Sequence, residues 1–130
     1  TEKVLSVAKI AKDFVLAKAD IIGDLSSDGE VMTVDDSGVA SYTFTYSNSM
    51  TAWGGGTGTM HFKIRKIAGA WFGDWGYDAI TTSGDLPSGV TYVKDDENPC
   101  LKGLVDGTSY TLTFTASEDE SSLTMTVTAN

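Results

Sequence analysis

The sequence predicts an all-β fold, an antiparallel β-sandwich, and three observations predict it. Apolar and polar residues alternate with a period of two in segments 39–46, 58–66, 110–116 and 123–129. The pairs Asp28-Gly29, Ser37-Gly38, Asn98-Pro99 and Asp106-Gly107 read as turns between such segments. Nowhere does a convincing 3.6-residue apolar period run long enough for a long helix.

Taken in order, 1–12 is open between the start of a short helix, a linker and an edge strand, because lysines interrupt Val4, Leu5, Ala8 and Ile10. Segment 13–24 reads as a strand with Phe14, Leu16 and Ile21 or Ile22 as its apolar members, ended by Gly23-Asp24. Segment 25–38 is a turn-rich connection with room for a short strand at 30–34. In 39–46, Tyr42, Phe44 and Tyr46 face the core and Ser41, Thr43 and Thr45 face away. Segment 47–58 carries too much Gly and Ser to be an element.

In 58–66, Met60, Phe62 and Ile64 form the core set, so His61, Lys63 and Arg65 point outward. Segment 67–78 reads as a loop or tight hairpin bearing Trp71, Phe72, Trp75 and Tyr77. Short strands are allowed near 79–82 and at 90–94, and 95–109 reads as loop. In 110–116 and 123–129, Tyr110, Leu112 and Phe114 and then Leu123, Met125 and Val127 alternate with threonines, and a short charged loop makes them a terminal hairpin. The strand count is about seven, which fits an immunoglobulin-like sandwich, with a small closed barrel as the alternative. The length of 130 residues suits one domain, 1–130.

Composition narrows the function. Nine Lys+Arg stand against 18 Asp+Glu, a net charge of -9, which disfavours nucleic acid and anionic membranes as partners. No segment is apolar enough to be a membrane span. The opening residues do not read as a signal peptide, yet a Thr/Ser/Gly/Asp-rich, Cys-poor chain suits a secreted or cell-surface bacterial domain, so an extracellular location is expected.

Catalysis and metals find little support. His61 is the single histidine and has no flanking nucleophile motif. Asp74 and Asp78 lie near the aromatics, but 18 acids make accidental pairs commonplace, so no enzyme is expected. Cys100 is the single cysteine, which excludes an intrachain disulfide; it reads as a half-buried loop residue, and one Cys with one His argues against zinc. The acids of 33–38 and 95–99 lack EF-hand spacing. Neither a metal nor a cofactor is expected.

All three tryptophans, the histidine and a short basic run fall between Trp53 and Tyr77. A sugar offers apolar C–H faces and a rim of hydroxyls. Aromatic planes cover the faces, and charged groups hydrogen-bond the rim. The candidate ligand-binding residues are therefore Trp53, Lys63, Arg65, Trp71, Asp74, Trp75 and Tyr77, with Gly54, Gly55, Gly56 and Gly73 leaving room for approach. If one tryptophan belongs to the core, Trp71 is the candidate, since small Gly69 and Ala70 precede it.

The run Phe62-Lys63-Ile64-Arg65, then Trp71, then Trp75-Gly76-Tyr77, followed by Asn98 and the closing stretch 103–114, resembles the starch-binding β-sandwich modules of bacterial surface proteins. These are the SusE/SusF outer-membrane type and the modules attached to amylases and pullulanases. The resemblance covers about 39–116; the tryptophan such modules often carry after their first strand has no counterpart before Trp53. It implies a non-catalytic α-glucan-binding module, with Lys63 donating to sugar hydroxyls and Trp53, Trp71 and Trp75 stacking. The expected partner is a polysaccharide or oligosaccharide, and the expected state is a monomer, free or as one module of a larger surface protein. The alternative is an immunoglobulin-like or adhesin-type module using the aromatics as a protein-binding patch.

Overall fold

The computed structural model describes residues 14–130, except the side chain of Phe72. The expectation for 1–12 lies outside the described residues. Eleven strands follow in order: β1 (Asp20–Gly23), β2 (Ser26–Val31), β3 (Thr33–Val34), β4 (Ala40–Thr45), β5 (Thr59–Ile67), β6 (Ala70–Trp75), β7 (Ile80–Thr82), β8 (Thr91–Asp95), β9 (Asn98–Lys102), β10 (Ser109–Ala116) and β11 (Leu123–Ala129). Two 3-10 turns, Val15–Lys18 and Tyr77–Ala79, are the helical pieces.

The strands form two sheets, a β-sandwich. The first runs β2-β1-β5-β9-β8, and β6 pairs with the far half of β5; the second runs β3-β4-β10-β11-β7. β5 is the spine of the first sheet. Its residues 62–65 pair with β1 on one side, while on the other side 59–61 pair with β9 and 64–67 with β6.

Between the sheets lie the alternating apolar residues of the clearest strands. Met60, Phe62 and Ile64 come from β5, and Leu112, Phe114 and Met125 from the facing sheet. Phe62 meets Phe114 across the interface at 6.5 Å between ring centroids. The threonines of β10 and β11 face away, as a half-buried sheet requires.

Several expectations change. The strand count rises, because 26–31 and 33–34 form β2 and β3 rather than connection. The stretch 13–24 divides: a 3-10 turn buries Leu16 before β1 begins. The sheets are not wholly antiparallel, since β7 runs parallel to β11. Most consequential, 98–102 is not loop but β9, an interior strand between β5 and β8. Pro99 is tolerated there because β5 pairing starts only at Cys100, so the missing N–H removes no bond on that side. Cys100 is accordingly fully buried in a sheet, not half-buried in a loop.

Candidate functional site

The outer face of the first sheet, turned away from the core, carries the polar residues of β5. His61, Lys63 and Arg65 do point outward, yet His61 and Arg65 are each only 4% exposed. Local chain cover explains this. The β1–β2 hairpin folds over Arg65, and the Gly-rich loop folds over the Asp24–His61 end.

Arg65 forms a two-pronged ion pair with Asp20, Nε to Oδ1 at 2.8 Å and a second bond from its terminal nitrogen to Oδ2. That nitrogen also donates to the Asp28 carbonyl at 3.1 Å. Hydrogen bonding to Asp20 holds the guanidinium pKa above its ordinary value, against the opposing effect of burial. Gly29 sits directly over this pair at φ +88°, where a Cβ would collide with the Asp20 carboxylate and the guanidinium.

Asp24 organises the loop end. Its Oδ1 accepts from the backbone N–H of Trp53 at 2.6 Å and of Gly55 at 3.0 Å. Its Oδ2 accepts from the backbone N–H of His61 at 2.7 Å and lies 2.9 Å from His61 Nδ1. A Cβ on Gly55 would strike the same carboxylate, so this loop packs on Asp24 through bare backbone.

Held this way, Trp53 meets Trp71 with ring centroids 6.2 Å apart and planes at 26°. Parallel rings in full face-to-face contact would be separated by only about 3.5 Å, so this pair is offset and neither ring is covered completely by the other. Arg65 lies against Trp71, its guanidinium carbon 5.0 Å from the ring centroid. Trp71 is nonetheless 57% exposed. Leaving roughly 100 Å² of a large aromatic in water forgoes roughly 2–3 kcal/mol of burial.

Beside this pair, Lys63 and Asp74 form an ion pair at 3.3 Å. Asp74 stands opposite Arg65 in the β5–β6 ladder and so shares its face. Ile67, two residues beyond Arg65, is 47% exposed, and Val31, opposite Asp20, is 68% exposed.

Two expected site residues lie elsewhere. Trp75 is 0% exposed and part of the core. It stands opposite Ile64, a core-facing residue, and its indole N–H donates to the Glu120 carbonyl at 3.1 Å. Lys66 covers one ring face at 5.0 Å. Trp71, the expected core candidate, is the outward one. Tyr77 stacks on Tyr92 at 5.0 Å and lines a separate cleft of about 470 Å³ with Ile80 and Leu86. The structure thus brings together Trp53, Lys63, Arg65, Trp71 and Asp74, and separates Trp75 and Tyr77 from them.

Sequence reasoning missed Asp20, Asp24 and the Asp95–Cys100 neighbourhood. The separation of Asp20 and Asp24 by Ile21, Ile22 and Gly23, with alternation, was a usable signal for two carboxylates on one strand face. Around His61, the ring Nε2 lies 3.5 Å from Asp95 Oδ2, and Asp95 also pairs with Lys102 at 3.1 Å. The Lys102 hydrogen bond, with smaller help from His61, holds the Asp95 carboxyl below its ordinary range. Burial pushes the Cys100 thiol up to about 11. Among the described residues no helix is long and apolar enough to cross a membrane. Comparison with protein-family models, with curated proteins and with solved structures finds no match for this chain.

Proposed function

We propose that this chain is a non-catalytic carbohydrate-binding module of a secreted or surface protein, and that it binds a neutral glycan on the offset Trp53–Trp71 pair. The observation that carries the reading is Trp71, in contact with both Trp53 and Arg65 yet more than half exposed. An immobilised aromatic plane loses little entropy when a pyranose face settles on it. Lys63 and Asp74 supply a donor and an acceptor on the same face for the hydroxyl rim.

The charge pattern supports a neutral ligand. Each outward cation of β5 already has a carboxylate beside it: Asp74 for Lys63 and Asp20 for Arg65. With a net charge of -9 around it, this face repels sulfated or uronic polymers. Among neutral glycans, α-glucan follows from the resemblance to starch-binding modules. An immunoglobulin-like class of sandwich belongs to the same proposal, supported by a chain that crosses repeatedly between its two sheets.

Affinity electrophoresis through gels containing starch, glycogen or β-glucans tests the proposal. The protein is expected to be retarded by α-glucan, and Trp71→Ala to abolish the retardation without loss of folding. Unretarded migration in every glucan sinks it. A protein-binding patch is the second reading, favoured by Val31, Ile67 and Trp71 sharing the outer face. Protection of Trp71 from acrylamide quenching by a protein partner, and not by glucans, would select that reading.

A further inference from the structure

We propose that His61, Asp95 and Cys100 form a binding site for a single divalent transition-metal ion, zinc in the first place. The three come from three adjacent strands of the first sheet. His61 on β5 stands directly opposite Cys100 on β9, and Cys100 stands opposite Val93 on β8, two residues before Asp95. Paired residues and their i+2 neighbours share a face, so the ladder aims all three side chains to the same side. One ligand atom from each, the imidazole nitrogen, the carboxylate oxygen and the sulfur, lies within 4.8 Å of the other two.

The spacing fits a tetrahedral ion. Bonds of about 2.0–2.3 Å at tetrahedral angles place ligand atoms roughly 3.3–3.6 Å apart. His61 Nε2 and Asp95 Oδ2 are already 3.5 Å apart, and the Cys100 sulfur lies within 4.8 Å of a ligand atom of each. One nitrogen, one oxygen and one sulfur are a borderline donor set, which favours zinc over calcium or magnesium.

A second observation points to the same use. His61 is more than nine-tenths buried, and its Nδ1 faces the Asp24 carboxylate at 2.9 Å. That contact occupies Nδ1, so Nε2 is the ring nitrogen left to face Asp95 and Cys100. This carboxylate–imidazole arrangement is the usual outer support of a metal-bound histidine. Nε2 has only the 3.5 Å approach to Asp95, too long for a strong hydrogen bond.

Binding displaces the Cys100 thiol proton to solvent, one per ion bound, and forms the metal–sulfur, metal–nitrogen and metal–oxygen bonds. It also displaces Lys102 from Asp95. The ion would then lock His61 against Asp24, the residue that anchors the Trp53 loop. The site is independent of the glycan proposal and stands or falls without it.

The test is titration of the full chain, stripped by chelator, with Co2+ and then Zn2+. The expected result is a thiolate-to-cobalt charge-transfer absorption that saturates at one ion per chain and is bleached by zinc. Cys100→Ser should lose the band, Asp95→Asn should weaken binding, and Lys102→Met should tighten it, because the competing ammonium is gone. The Lys102 variant changes a half-exposed residue and keeps the test meaningful if a ligand variant folds poorly. A wild-type spectrum with no thiolate band, together with no zinc binding by calorimetry, overturns the proposal and leaves an ion pair only. Binding that survives Cys100→Ser unchanged also overturns it.

Discussion

Asp24→Asn tests the link between the fold and the candidate site. The carboxylate accepts four N–H groups on two oxygens: Trp53 and Gly55 on Oδ1, and both the backbone and the ring of His61 on Oδ2. An amide keeps one oxygen and turns an NH2 donor toward two of those donors. The surviving oxygen is expected to stay with His61, which is buried, while the loop N–H groups can escape to water. Two hydrogen bonds to a charged acceptor are lost, each worth about 1.5–3 kcal/mol, partly recovered by solvation of the loop. The net cost is expected at about 3 kcal/mol. Urea denaturation followed by far-ultraviolet circular dichroism measures it. Hydrogen exchange measures the local effect: the Trp53 and Gly55 amides should lose protection while β10 and β11 keep theirs. Glycan retardation should weaken as Trp53 leaves Trp71. A cost under about 1 kcal/mol with the loop amides still protected would refute the reasoning.

Further outcomes follow from the same geometry. Trp75→Ala removes a core residue and its bond to Glu120, and should cost about 3–5 kcal/mol in chemical denaturation, while Trp71→Ala should cost under about 1 kcal/mol. Equal costs would refute the assignment of Trp75 to the core and Trp71 to the surface. Arg65→Met leaves the buried Asp20 carboxylate without its counter-ion, with the Gly69 N–H as its remaining donor, and should cost about 3–5 kcal/mol, much of it recovered by the added change Asp20→Leu; a double-mutant cycle reads the difference. The Cys100 thiol is raised from 9.0 to about 11, so the folded state holds its proton more tightly than the unfolded state. Its contribution is therefore full below pH 9 and lost as pH rises through about 11, roughly 2–3 kcal/mol in all. With chelator present, the difference between wild type and Cys100→Ala across this window isolates it, and parallel curves for the two proteins would contradict the assignment.

The legible parts of the fold were those where side-chain parity decides everything. In β4, β5, β10 and β11, alternation alone sorts core from solvent. β9 was hidden because Asn98-Pro99 reads as a turn, and the Pro-Cys-Leu run after it is too short to show a period. At the site, parity misled. Trp71, Gly73 and Trp75 have the same parity, yet Trp71 points out and Trp75 in. The β5–β6 ladder slips between Arg65 and Ile67, so that residues 71–73 stand against Lys66 alone. A bulge is a property of two paired strands and leaves no trace in one. The burial of His61 and Arg65 was equally illegible, since it comes from chain segments distant in sequence folding over an outward face.

The position of β11 inside its sheet has a consequence for synthesis. β7 pairs with β11 alone, and β11 is made after the other ten described strands. The first sheet has all its strands once Lys102 is made. Ile80 waits for its partner Leu123 for roughly 2–9 s at ribosomal elongation rates of about 5–20 residues per second. Through that interval the inner face of the first sheet lacks the cover of β11, and the Trp75 indole has no carbonyl until Glu120 arrives. A nascent chain arrested before β11 presents this uncovered surface to chaperones, and the Trp75 emission marks the moment the second sheet closes.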